Sequence, residues 1–228
     1  MKSSASRYVT SLGDEGEFEP GSHERVLKNL LGITSKREMD RVEEEAHRKT
    51  ERYFLTAVNT ESKFTVDLIC QIHKHFLGGI YSWAGKIRTV NVSKEGFTWP
   101  PPQFLDRALI EFESDCLSRL TPLPDGSLNH IAQALAEVHA EFLMIHPFRE
   151  GNGRVARLIA MLMTMQAHRP PPYYSFVSRE SEVERKVYLE SVRQGYVKNY
   201  EPLIRFFERA LVRGAEVTRE SSRGFFNP

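Results

Sequence analysis

Between His146 and Arg157 the chain reads HPFREGNGRVAR, which places an imidazole, a carboxylate, two glycines around an amide, and arginines at 149, 154 and 157 within twelve residues. Arg154 and Arg157 are three apart, so on a helix their guanidinium groups leave the same face. Such forked donors match phosphate oxygens better than a lysine ammonium does. Gly151 and Gly153 permit torsions and close backbone approach that a side chain would block. If a helix begins at GNG, its leading amides and positive dipole end complete an anion cradle. Glu150 beside that cradle suits Mg²⁺, which is commonly held by one carboxylate together with phosphate oxygens. His146 is left as the proton acceptor: an imidazole of ordinary pKa, about 6.5, can take a proton from a hydroxyl near neutrality. Taken singly, each residue has a plainer use, as a helix cap, a common turn or a solvated face. Their joint occurrence between two apolar helices is what points to chemistry.

Those helices are legible on either side. SLNHIAQALAEVHAEFLMI carries Ile131, Leu135, Val138, Phe142 and Ile145 at helical spacing, and Val155, Leu158, Ile159, Leu162 and Met165 repeat the stripe after the loop. Pro147 is expected to stop the first helix, and Phe148 to anchor the loop in the core. Upstream, VLKNLLG predicts a short helical turn closing on Gly32. Ser35 predicts the cap of a charged helix reaching about Val58. TVDLICQIHKHFLGG predicts a helix with Leu68, Ile72, His75 and Phe76 on its inner side. KIRTVNVSKEGFTW alternates Ile87, Thr89 and Asn91 against Arg88, Val90 and Val92, with Glu95-Gly96 as turn chemistry, which predicts a β-hairpin. Pro100–Pro102 end it and open another helix. Two further helices, SEVERKVYLESVRQGY and EPLIRFFERALVRG, precede a polar tail. The fold class is mainly α, one domain with a single hairpin.

Composition narrows the function. Lys plus Arg number 31 against 30 Asp plus Glu, so nothing marks a nucleic-acid or anionic-membrane surface. The N-terminal residues have no apolar signal segment, and no apolar run reaches membrane-spanning length. Cys70 and Cys116 lie inside helical patterns without metal or redox spacing, so a reduced, cytoplasmic protein is expected. His73 with His75, or His139 with His146, lacks a third ligand at metal spacing, which argues against a metal hydrolase.

HPFREGNGRVAR resembles the signature of the Fic family, H-x-F-x-[D/E]-G-N-G-R-x-x-R, at all eight specified positions: His146, Phe148, Glu150, Gly151, Asn152, Gly153, Arg154 and Arg157. VLKNLLGI, YSWAGKIRTVNVSKEGF and EPLIRFFERAL are similar to further blocks of that family, so the likeness runs from about Arg25 to Arg213. The resemblance implies a Fic-type helical domain at 23–214, an N-terminal arm at 1–22 and a tail at 215–228. It also implies transfer of AMP from ATP, with Mg²⁺, to a Tyr, Ser or Thr hydroxyl of a target protein, releasing pyrophosphate. His146 would take the hydroxyl proton and Glu150 would hold the metal. Arg149, Gly151, Asn152 and Gly153 would bind the nucleotide phosphates. Arg154 would stabilise the departing charge, and Arg157 would grip the γ-phosphate. The hairpin residues Ser93, Lys94, Glu95, Gly96 and Phe97 correspond to the family's flap, where a target segment pairs by strand addition, and would also line the nucleotide site. Tyr188 is placed either at the adenine pocket or in the core.

Family members are often held inactive by a glutamate in [S/T]-x-x-x-E-[G/N] that pairs with the second motif arginine. Ser11–Gly16, SLGDEG, fits that pattern and makes Glu15 a candidate partner of Arg157. The alternative is a separate small antitoxin-type inhibitory protein, as in toxin–antitoxin pairs. Two other readings share the chemistry: transfer of a different phosphate-containing group, and a nucleotide-binding regulatory module without turnover.

Overall fold

The computed structural model describes residues 14–94, 96–175 and 180–224. Helices dominate it, with one small antiparallel hairpin, and the chain divides into two compact units.

The first unit comprises residues up to Thr56, Thr65–Glu111 and Ile145–Val155. Its helix α1 spans Lys36–Ala57, opened by Ser35, whose Oγ accepts the Glu38 N–H at 3.4 Å. Glu44–Arg48 and Glu45–Lys49 pairs run along its exposed side, where solvent screens them. Met39, Glu43, Thr50 and Phe54 form its buried side. Helix α2, Val66–Leu77, is capped by Thr65, whose Oγ accepts the Leu68 N–H at 3.1 Å. Asp67 in its first turn and Lys74 and His75 in its last suit the helix dipole.

Three local expectations are corrected here. Residues 26–32 form no helix. Leu27 bridges to Phe18 and a turn follows at Leu30 and Leu31, where the Asn29 side chain takes over the local backbone: Oδ1 accepts the Leu31 and Ile33 N–H groups, and Nδ2 donates to the Leu27 and Ile33 carbonyls. On α2 the buried set is Ile69, Ile72, His73, Phe76 and Leu77, so His73 and not His75 is the internal histidine. The hairpin's paired strands are only β1, Ser93–Lys94, and β2, Phe97–Thr98. A further bond, Trp99 N–H to the Val92 carbonyl, extends the pairing by one step. Alternation still governs burial before β1, where Arg88, Val90 and Val92 point inward between exposed Thr89 and Asn91. Helix α3, Leu105–Glu111, follows the prolines.

The second unit comprises residues 57–64, 112–144 and 156 onward. A π-helical segment, Phe112–Leu117, runs into the short α4, Ser118–Leu120. Helix α5 spans Leu128–Ile145 and α6 spans Asn152–Gln166. Of the expected apolar stripes, Ile131, Leu135, Val138 and Phe142 on α5 and Leu158, Ile159 and Leu162 on α6 are buried, whereas Met165 is half-buried. Helices α7, Glu180–Gly195, and α8, Glu201–Gly224, pack on each other. Helix α8 continues past residue 214, so the polar segment expected as a tail begins as its last turns.

Candidate active site

The motif loop sits in the first unit, and its backbone explains its composition. His146 leaves α5 with φ +53°, the left-handed conformation that usually ends a helix at glycine, though histidine adopts it more readily than most residues. This turns the chain sharply, and the imidazole stacks on the Trp99 indole with ring centroids 4.0 Å apart. Phe148 is fully buried, its ring flat against His73 at 3.8 Å and 3°. Gly151 has φ +86°, and a Cβ there would meet Leu77 Cδ1 at 3.2 Å and Phe76 Cε1 at 3.3 Å. Both the torsion and the close approach require glycine.

Asn152 closes the loop as the first residue of α6. Its Oδ1 accepts the Phe148 N–H at 3.0 Å and its Nδ2 donates to the Phe148 carbonyl at 2.7 Å. Its amide therefore shapes the loop. The Gly151 carbonyl accepts the Arg154 and Val155 N–H groups, so the helix dipole begins where the motif places GNG.

Glu150 and Arg154 stand together near the start of this helix. Glu150 Oε1 accepts the Gly151 N–H at 3.0 Å and lies 3.6 Å from Arg154 Nη2. The stronger partner of Arg154 is Glu43, a residue of α1, with Oε2 at 2.7 Å. Tyr81 donates its hydroxyl to the other Glu43 oxygen at 2.6 Å, and the Arg154 guanidinium lies 4.8 Å over the Phe76 ring. Burial works to lower the Arg154 pKa, but Glu43 and Glu150 outweigh it and hold the guanidinium above its ordinary value.

His73 supports the loop from α2. Its Nδ1 accepts the Gly85 N–H at 2.7 Å, so the proton resides on Nε2, which donates to the Glu150 carbonyl at 3.0 Å. Burial pushes its pKa down to about 4, keeping it neutral. Arg88 supports the loop from the hairpin side. Its backbone N–H donates to the Pro147 carbonyl at 2.8 Å, and its side chain donates to the carbonyls of His146, Val90 and Pro100 at 2.7, 2.8 and 2.6 Å. Burial lowers its pKa to about 10, opposed by the Glu15 charge, so it remains a cation.

Arg149 is buried, and its Nε donates to the Glu15 carbonyl at 2.6 Å. It shares a narrow cleft with Glu43, Tyr81, Glu150 and Arg25. Glu15 lies in a 3₁₀ turn, Asp14–Gly16, and its carboxylate accepts the Thr89 N–H at 3.0 Å. That bond ties it to the hairpin approach; Ser11, the start of the sequence pattern around it, lies outside the described residues. Ser93, Lys94, Gly96 and Phe97 form the hairpin, whereas Glu95 lies outside the described residues. In the second unit, Tyr188 is buried with its hydroxyl 2.7 Å from His139 Nε2. Burial raises its pKa, partly offset by the charge of Arg157 and a hydrogen bond with it.

The motif thus brings a carboxylate, Glu150, and an arginine, Arg154, to one helix start, with the His146 imidazole on Trp99 where the loop leaves α5. Glu43, Arg88, His73 and Trp99 were not read as site residues from the sequence. Two of them left a trace: Glu43 is a carboxylate on the apolar side of α1, and Arg88 is a cation on the inward side of the hairpin approach.

Comparison with known proteins places this arrangement. Residues 63–164 match the Fic/DOC family. Protein adenylyltransferase Fic of Nematostella vectensis is 31% identical over 159 residues, 69% of this chain but 35% of that protein, so the chain spans about a third of that relative. The probable protein adenylyltransferase y4lH of Sinorhizobium fredii is 26% identical over 81% of this chain and 89% of its own length. The crystal structure of the BepC protein of Bartonella tribocorum with bound AMPPNP shares the fold, with a TM-score of 0.65, 21% identity, and coverage of 81% of this chain and 91% of that one. This chain carries a Fic/DOC family domain over residues 63–164.

Proposed function

We propose that the protein is an adenylyltransferase that moves AMP from ATP to a Tyr, Ser or Thr hydroxyl of a target protein. The observation that carries this reading is the complete motif on one loop: Glu150 and Arg154 lie 3.6 Å apart at the start of α6, His146 stacks on Trp99 at the end of α5, and the loop's glycine and asparagine are fixed by φ, packing and paired hydrogen bonds. Relatives named protein adenylyltransferase support it, as does AMPPNP bound to BepC.

In the reaction His146 accepts the target hydroxyl proton as the oxygen bonds to the α-phosphorus. The bond from that phosphorus to the α–β bridging oxygen breaks, and pyrophosphate leaves with the electron pair. The first amides of α6 and Arg154 stabilise the departing charge, which is the expected main source of rate in phosphoryl-type chemistry. Arg157, one turn further along the same helix, is assigned to the γ-phosphate. Among the described residues no group of three His, Cys, Asp or Glu is arranged to hold a metal alone. Glu150, a hard oxygen ligand steadied by the Gly151 N–H, fits Mg²⁺ whose other ligands are phosphate oxygens and water. When bound, that ion neutralises triphosphate charge. The hairpin is the surface on which a target strand would pair. Glu15 is committed to the Thr89 N–H, which favours a separate small protein as the source of any inhibitory carboxylate for Arg157.

The test is labelling of lysate proteins from ATP carrying the label on its α-phosphate, with mass analysis of the modified residue. The wild type should leave an adenylyl group on a hydroxyl, and His146→Ala should not. A different added mass, or undiminished transfer by the variant, would refute the assignment.

A further inference from the structure

We infer that Arg88 is the positioning residue that sets His146 against the hairpin, so that one buried guanidinium fixes both the base and the surface receiving the hydroxyl. The inference rests on the adenylyltransferase reading and deepens it.

Arg88 is 2% exposed, and a buried cation is costly unless its donors are satisfied. Among the described residues no carboxylate accepts a hydrogen bond from it. Instead its three side-chain nitrogens donate to three main-chain carbonyls from three segments: Nε to His146, Nη1 to Val90 and Nη2 to Pro100. The backbone N–H of the same residue holds the Pro147 carbonyl. Two consecutive carbonyls of the motif loop thus end on one residue, and its remaining donors reach both arms of the hairpin. Val90 precedes β1, and Pro100 follows Trp99, the ring on which the His146 imidazole stacks. The carbonyl it grips belongs to the residue in the left-handed conformation, whose peptide orientation aims the imidazole. A hydrophobic residue could fill the same volume without joining these segments. A lysine, with one nitrogen, cannot span the three directions that the planar fork reaches.

Glu15 completes the arrangement. Its carboxylate holds the Thr89 N–H, its carbonyl holds Arg149 Nε, and its charge opposes the loss of charge that burial imposes on Arg88. The cradle at Gly151–Arg154 is held by other residues: His73, Asn152, Phe76 and Glu43. Arg88 should therefore govern transfer without governing nucleotide binding.

That separation is measurable. In Arg88→Lys, ADP affinity should stay within about threefold of wild type, while the rate of adenylyl transfer to lysate proteins falls about 100-fold, the scale associated with misplacing a reacting group by an ångström. In Arg88→Ala, added guanidinium at concentrations far below denaturing should restore transfer at least partly, and an equal concentration of sodium chloride should not. The second arm also covers a variant that folds only with guanidinium present: activity returning with the fold supports positioning, and a restored fold without transfer overturns it. Transfer by Arg88→Lys at the wild-type rate, or equal losses in ADP affinity and rate, would also overturn it. His146→Ala separates the two levels, since its full activity would refute the base itself, whereas an inactive His146→Ala beside a fully active Arg88→Lys refutes only the role given to Arg88.

Discussion

Replacing Glu43 by glutamine preserves the volume of the side chain and an acceptor for the Tyr81 hydroxyl, but removes the charge facing Arg154 at 2.7 Å. The Glu43 side chain is 9% exposed and that of Arg154 22%, so solvent screens the pair only in part. A hydrogen bond to a charged group contributes about 1.5–3 kcal/mol and a neutral one about 1, so the substitution should cost about 0.5–2 kcal/mol of stability. In a chain of this size that corresponds to a fall in Tm of about 1–8 °C. The same change takes a negative charge away from the guanidinium assigned to the departing phosphates. Nucleotide no longer competes with Glu43 for Arg154, so ADP should bind more tightly by up to the same amount, about 2- to 30-fold. Calorimetric titration of ADP and thermal unfolding, on the same preparations, measure the two effects. Glu43→Ala is the comparator: it also strips Tyr81 of its acceptor, so it should lose about 1–3 kcal/mol more. A lower Tm with unchanged or weaker ADP binding in Glu43→Gln would refute the idea that Glu43 and phosphate draw on the same guanidinium.

Asn152→Asp should be more damaging than Asn152→Ala, because the carboxylate would set an acceptor against the Phe148 carbonyl that Nδ2 now serves at 2.7 Å. Loss of transfer activity and of about 2 kcal/mol or more in urea unfolding is expected, and a benign Asp variant would remove Asn152 from loop closure. Stability should also depend on pH through His139, whose pKa burial pushes down to about 3. The unfolded chain binds that proton from about pH 6.5 downward while the folded chain does not, so stability falls as the pH drops from 6.5 toward 3. Burial of His73 acts in the same direction. Urea midpoints at pH 7.5 and 5 should show the loss, and His139→Gln should flatten it; an unaltered slope in that variant would refute the assignment.

The sequence by itself determined the make-up of the loop and the helices that flank it. Gly151 and Asn152 mark the turn into α6, and the stripes of α5 and α6 are set by local periodicity, which needs no partner to be legible. Short-range rules failed where a side chain replaced the backbone's usual partner, as Asn29 does within residues 26–32. They also failed where periodicity offered two neighbouring histidines and only packing chose His73 over His75. What holds the loop was decided by the tertiary structure alone. Glu43 lies more than a hundred residues before the arginine it grips, and Arg88 reaches a carbonyl 58 residues away. Such long-range bonds are not encoded in any local spacing; they exist only once the segments are brought together, because burial excludes the water that would otherwise satisfy those charges.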